Sequence, residues 1–372
     1  MSEIITQARA LLQTSQPEKA LELLLSQIDT NKESVPYLSL LGQTYLENNQ
    51  VQEAYEIFTT ACTIDPEAKE GEEKFLCLGQ IIGGRDGLNS INIAINALKN
   101  KLESSLSDYP KDLYKSEEEY KTDIINKITL SISSEIEIWM TDLCMEPEAE
   151  SKCSELIEFS LNLDNTNPES YSLLSSIRIS QQRNPEAIEA LNKSWELFKL
   201  KKTRLEEMAN KNVDQDAFDI GMEYVDLIQP LIALARYAVE LEQYDTAIQV
   251  SSGIQDINEN VLDAYYIEIL ANISKARQLL NNPESQLNEL AEHENEEVRS
   301  LIQETRLSLT SVYKILQTDL AEEFDNELVA QLSQLMNEVG GPIMSELMPS
   351  RKNRDDDDDI NWDDINSDEE IE

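Results

Sequence analysis

Residues 35–66 read VPYLSLLGQTYLENNQVQEAYEIFTTACTIDP. Leu38, Leu41 and Tyr45 recur at helical spacing, and Gly42 lies among them where only a small residue lets a second helix come close. Glu47, Asn48 and Asn49 make a polar turn. Beyond it Ala54, Phe58 and Ala61 repeat the helical spacing, and Pro66 stops the second helix because proline cannot continue one. The stretch predicts a helical hairpin with its contact points marked.

Moved back by one repeat, the same frame lands on Met1, with Ala8 in the place of Gly42, Leu11 of Tyr45, Ala20 of Ala54 and Leu24 of Phe58. Pro17 suits the first turn of the second helix of that pair. The unit resembles the tetratricopeptide repeat, a helical hairpin of about 34 residues. That resemblance implies an all-α fold, a right-handed superhelical solenoid of about seven helix pairs in which each pair packs on its neighbours.

The pattern continues. A third pair carries Phe75, Leu78, Gly79 and Ile82, then Ile91, Ile95 and Leu98, around Gly83-Gly84-Arg85-Asp86-Gly87. Glycines ahead of a helix can cradle phosphate, but no strand precedes these and no Lys-Ser/Thr pair stands at Walker spacing, so they read as an interhelix turn. The polar stretch 104–116, broken by Asp108-Tyr109-Pro110, reads as an insertion. Ile124, Ile128, Ile132, Ile136 and Met140 then mark a long helix within Glu117 to Cys144, paired with Ala149 to Leu163 and closed by Asn167-Pro168. Tyr171, Leu174, Ser175, Ala187, Leu191 and Ser194 mark a fifth pair, and Leu231, Leu234, Ala235 and Ala247 a sixth. Residues 199–224 between them read as irregular, their basic run Lys199 to Arg204 being a solvated helix end rather than a localisation signal. A seventh pair opens at Val261 with Ile269 in the small-residue position, so its packing must be looser or shifted. Leu-rich helices follow, interrupted at Gly340-Gly341-Pro342. The expected organisation is a solenoid over 1–348 and an acidic tail over 349–372. Eleven of the eighteen residues Asp355 to Glu372 are acidic and none is basic, so the tail is expected to be disordered.

The whole chain sets 73 Asp and Glu against 30 Lys and Arg, a formal net charge of −43. Without the tail 62 acids remain. This balance excludes nucleic acid as the main ligand, since phosphates must be neutralised by Lys and Arg, and it favours a basic partner. The plainer alternative is that the acid serves solubility. Cys62, Cys77, Cys144 and Cys153 form no C-x-x-C pair and read as small buried apolar residues in a reducing compartment. MSEIITQARALL lacks the basic-then-apolar order of a signal peptide, and no window approaches the roughly 18 apolar residues that cross a bilayer; the expectation is a soluble, intracellular protein. His293 is the sole histidine, so no multi-histidine zinc site or imidazole triad can assemble, and no calcium loop is recognisable. No catalytic residue, metal or cofactor is expected; the chain reads as a binding protein, not an enzyme.

In tetratricopeptide arrays the inner wall is lined mainly by the first helix of each pair. The resemblance places that wall at Ser39, Gln43 and Glu47, at Ser172, Ser176 and Ile179, at Ile232, Arg236 and Glu240, and at Tyr266. Where the heat-shock cochaperones of the family clamp a carboxylate, this chain has Ile5, Arg9, Gln43, Glu73 and Leu76, so the clamp is missing. Segments rich in Lys and Arg are favoured instead by charge complementarity. The order of tandem repeats, the late helix AYYIEILA (264–271), the closing helix LVAQLSQLMNEVGGP (328–342) and the acidic tail resembles the dedicated assembly chaperones of large-subunit ribosomal protein four. It departs from them at Glu268, Ile269 and the long insert at Asp108-Tyr109-Pro110. The resemblance implies a monomer that binds the new ribosomal protein one to one. It would cover the client's basic internal loop and accompany it from cytoplasm to nucleus for large-subunit assembly, with no membrane or direct nucleic-acid partner. The rival readings are a scaffold subunit of a stable multiprotein complex and an enzyme regulator of the phosphatase-associated kind.

Overall fold

The computed structural model of the protein describes residues 3–104, 109–111, 114–211 and 217–347. The expected disordered tail, 349–372, lies outside the described residues. Among those described, helices are the regular structure and no strand occurs. The chain divides into two compact units, Met1–Glu259 and Asn260–Glu372, where the repeat pattern had suggested one array through 348.

The first unit is built of consecutive hairpins. α1 (Glu3–Gln13) packs on α2 (Pro17–Leu25), and after the short α3 (Ile28–Asn31) come α4 (Val35–Glu47) on α5 (Val51–Ile64) and α6 (Glu73–Ile82) on α7 (Gly84–Glu103). α8 (Glu117–Met140) pairs with α9 (Ala149–Leu163), and α10 (Pro168–Ser180) with α11 (Asn184–Lys211). After α12 (Ala217–Val225), α13 (Ile228–Glu240) pairs with α14 (Tyr244–Ile257).

Small residues set how closely each pair approaches. A Cβ on Gly42 would stand 2.7 Å from two ring carbons of Phe58, so the ring occupies the space the missing side chain leaves. α6 and α7 approach backbone to backbone, since a Cβ on Gly87 would lie 2.5 Å from the Gly79 carbonyl oxygen. In the fifth pair a hydroxyl does the same work: Ser175 Oγ donates to the Ala187 carbonyl at 2.9 Å, which satisfies a buried polar atom at the contact. The glycine turn is shorter than expected, because α7 already starts at Gly84. Its first free amide, Gly84 N–H, donates to the Asp142 carboxylate at 2.7 Å, so the anion at this helix start comes from the chain itself. Asn167-Pro168 likewise opens α10 rather than closing α9: Asn167 Oδ1 accepts from Glu169 N–H at 2.9 Å and Pro168 fills the first turn.

Residues 199–211, expected to be irregular from Lys199 on, continue α11 without a break. Phe198 and Leu205, both buried, keep one apolar stripe two turns long beneath an otherwise polar surface. The basic run therefore lies along a helix, not at its end, with Lys202 Nζ 3.1 Å from Asp256 of α14. The insertion sits between α7 and α8, and its residue Tyr114 docks on α8, ring against Tyr120 at 4.9 Å and hydroxyl donating to Asp123 at 2.7 Å.

In the second unit α15 (Leu262–Leu279) pairs with α17 (Glu296–Ile315), with the short α16 (Leu287–Ala291) between them in sequence. α18 (Asn326–Glu338) and α19 (Met344–Leu347) pack on α17. Ile269 is fully buried in a core with Leu309, Val312 and Leu332.

Candidate functional site

On α4, Ser39 and Gln43 are half-buried and Glu47 exposed, spaced four apart along one face. On α10, Ser176 and Ile179 are half-buried, but Ser172 is only 7% exposed; on α13, Arg236 and Glu240 are exposed and Ile232 is 4% exposed. Ser172 and Ile232 are thus corrected from wall to interior. α13 packs against both α10 and α11. Tyr266 is half-buried on α15, in the second unit. Of the residues in place of a carboxylate clamp, Ile5 is buried and Glu73 stands 3.2 Å from Lys127.

Several basic residues are tied into ion pairs within the fold, a feature the sequence did not reveal. Lys74 is wholly buried with Nζ 2.9 Å from Asp65 Oδ2, and it also donates to the Gly71 carbonyl. Burial alone would raise the Asp65 carboxyl, but Lys74 and the amides of Glu70 and Lys69 hold it below the usual carboxylate range. Next along the chain, the nearly buried Glu72 takes Lys101 at 2.5 Å and Lys127 at 3.7 Å, and Lys127 also reaches Asp123 at 3.2 Å. Burial works against the Lys127 charge, yet Glu73, Asp123 and Glu72 outweigh it and raise its pKa. Tyr114, on the same cluster, is pushed up to about 12 by burial and by the Asp123 carboxylate. Arg85 spans Glu146 and Glu148, both at 3.0 Å. Cations spent this way cannot answer the surplus acid, so exposed carboxylates such as Glu47, Glu150, Glu189 and Glu240 carry the outward field.

Two grooves open in the first unit. One, about 600 Å³, is lined by α10 and α11; Arg178 of α10 pairs with Glu186 of α11 at 3.5 Å, and Lys193 with Glu196 at 3.6 Å along α11. The other, about 280 Å³, is apolar and lies among the end of α8, the start of α9 and the end of α10, with Trp139, Met140, Cys144 and Ile177 in its walls. Sequence reasoning missed it, although Trp139-Met140 at a helix end followed by an acid-rich turn was a visible signal.

Cys62 and Cys153 are buried as expected, with thiols pushed by burial up to about 12 and about 11, but Cys77 is half-buried and Cys144 exposed. Cys144 escapes the interior because it falls in the turn after α8 rather than on the apolar stripe of that helix. Among the described residues no group of three or more His, Cys, Asp or Glu could hold a metal ion, and no helix is long and apolar enough to cross a membrane.

Residues 35–67 match the tetratricopeptide-repeat family, and residues 260–361 match the family described as the ACL4 C-terminal domain, which begins where the second unit does. A protein of Schizosaccharomyces pombe named "Probable assembly chaperone of rpl4" is 27% identical over 320 residues, 85% of this chain and 84% of its own. An Emericella nidulans protein of the same name is 25% identical over 363 residues, 92% of this chain and 83% of its own. The solved structure of an assembly chaperone of RpL4, residues 1-338, superposes with a TM-score of 0.59 at 22% identity, covering 75% of this chain and 98% of that one; at this identity it bears on the fold alone. The chain carries a tetratricopeptide repeat at residues 35–67 and is similar along most of its length to proteins named as probable assembly chaperones of rpl4.

Proposed function

We propose that this protein is a dedicated chaperone of large-subunit ribosomal protein four, holding the newly made client until the large ribosomal subunit takes it up. The observation that carries the reading is the kinship, across 85% of the chain, with a protein named as a probable assembly chaperone of rpl4. Charge supports it from a second side. A basic loop shaped to lie on RNA aggregates or binds stray RNA unless its Lys and Arg are masked. A host with 73 acids against 30 bases, several of the bases already paired with the fold's own acids, masks them without becoming a nucleic-acid binder itself. Ribosomal RNA then competes the client away, because its phosphates offer denser negative charge. Covering the internal loop and accompanying the client from cytoplasm to nucleus as a one-to-one complex belong to the same proposal.

Size-exclusion chromatography with light scattering tests it, using the full-length chain and the client either intact or lacking its internal loop. A one-to-one complex is expected with the intact client and a much weaker one without the loop. Failure to form a complex, or purification from cells with a fixed set of other proteins and no ribosomal protein, would overturn the reading in favour of a scaffold subunit.

A further inference from the structure

We propose that the apolar groove at the junction of α8, α9 and α10 is a socket for one large apolar side chain, presented by a segment of the client that carries Lys or Arg on either side. The inference rests on the proposed function and names a contact site whose lining residues are not among those expected to form the inner wall.

The lining is chemically suited to a side chain and to little else. Trp139, Met140, Cys144, Cys153 and Ile177 supply aromatic, thioether, thiol and aliphatic surface, and a volume of about 280 Å³ is that of a side chain with its immediate backbone. It lies at the small end of ligand pockets, and Glu150, Ser180 and Gln181 are the polar residues in its lining. Polarizable sulfur surface accepts different apolar shapes with little loss. Met145, 92% exposed beside it, extends the apolar area outward.

Charge says which partner fits. Between Glu137 and Glu150 the chain carries Glu137, Asp142, Glu146, Glu148 and Glu150 and no Lys or Arg. Among the described residues Arg85 meets this segment in salt bridges, divided between Glu146 and Glu148, and Lys152 of α9 also acts on Glu148. Glu150 is exposed in the groove lining itself. An apolar anchor on a basic segment gains burial in the groove and attraction at the rim, whereas the acidic end of this chain, Asp355 to Glu372, is repelled there.

Cys144 reports occupancy directly. It is the exposed thiol of the four, and burial pushes Cys62, Cys77 and Cys153 up to about 12, 11 and 11, so iodoacetamide modifies Cys144 first. In the one-to-one complex with the client, alkylation of Cys144, followed by peptide mass spectrometry, is expected to slow by about tenfold or more, as occlusion by a bound anchor requires. Ser180→Trp, which fills the groove from an exposed position, is expected to leave the circular-dichroism melt unchanged and weaken client binding by about tenfold, the loss of one anchor. A complex that forms while Cys144 reacts at its free rate overturns the socket and leaves the proposed function standing. If no complex forms, both fall. Protection already present in the free chain, relieved by dilution or by removing residues 355–372, would assign the groove to a second copy or to the chain's own end and overturn the proposal as well.

Discussion

The Lys74 ammonium meets the Asp65 carboxylate at 2.9 Å with the lysine side chain fully removed from solvent. The pair ties the end of α5 to the start of α6, so the stacking of one hairpin on the next depends on a charge that cannot reach water. Lys74→Ala would strand Asp65 and is expected to cost about 3 to 5 kcal/mol in urea unfolding, while the double variant Lys74→Met, Asp65→Asn recovers much of the loss. Because the folded Asp65 pKa lies below its ordinary 3.8, the stability it contributes is complete above that value and is lost as pH falls through the lower folded one. The acid limb of the stability curve should therefore flatten in the double variant. A Lys74→Ala chain as stable as the parent would refute the tie.

Two glycines should respond to alanine with opposite signs. In an open helix position Gly to Ala gains about 0.5 to 1 kcal/mol from backbone entropy and propensity. Gly221 in α12 has nothing within 4 Å of a built Cβ and should show that gain. Gly42 should lose instead, since Phe58 must move to admit the methyl and overpacking costs about 1 to 3 kcal/mol. Thermal melts of the two single variants decide it, and a raised Tm for Gly42→Ala would show that the ring yields freely.

Glu135 is buried in the first unit with one carboxylate oxygen lacking any hydrogen-bond partner. Burial pushes it up to about 7, opposed by Lys99 of α7 and Lys152 of α9. Between the ordinary value of 4.5 and about 7 the unfolded chain ionises first, so this group subtracts stability as pH rises through that window and no further above it. Glu135→Gln should be more stable than the parent at pH 8 by about 1 to 3 kcal/mol, with the gap closing below pH 4.5. A gap independent of pH would assign the effect to packing.

Charge-driven capture has a kinetic signature. Client affinity is expected to fall by about tenfold or more between low and moderate salt, because exposed carboxylates act through a screened field. Deleting Asp355 to Glu372, eleven acids among eighteen residues, should lower the association rate and its salt dependence while leaving dissociation nearly unchanged, as stopped-flow mixing would read. A deletion that instead speeds dissociation would make the tail part of the final contact.

Local pattern carried far in this chain. The helix Ala149 to Leu163 follows from apolar spacing, since helix formation is governed by neighbours three and four residues away. The same logic misread residues 199–211, where polar composition hid the stripe through Phe198 and Leu205. The family resemblance, in turn, placed Ser172 and Ile232 on a wall, and both are buried.

By itself the sequence determined the repeating hairpin, the places where helices touch and the overwhelming negative charge, because each is written in nearby residues or in composition. Tertiary structure alone decided the pairing of Lys127 with Glu73, the cap that Asp142 places on Gly84, the break at Glu259 and the apolar groove under Cys144. The first two join groups 54 and 58 residues apart, and all four depend on which helices pack together, which no periodicity within a single helix encodes.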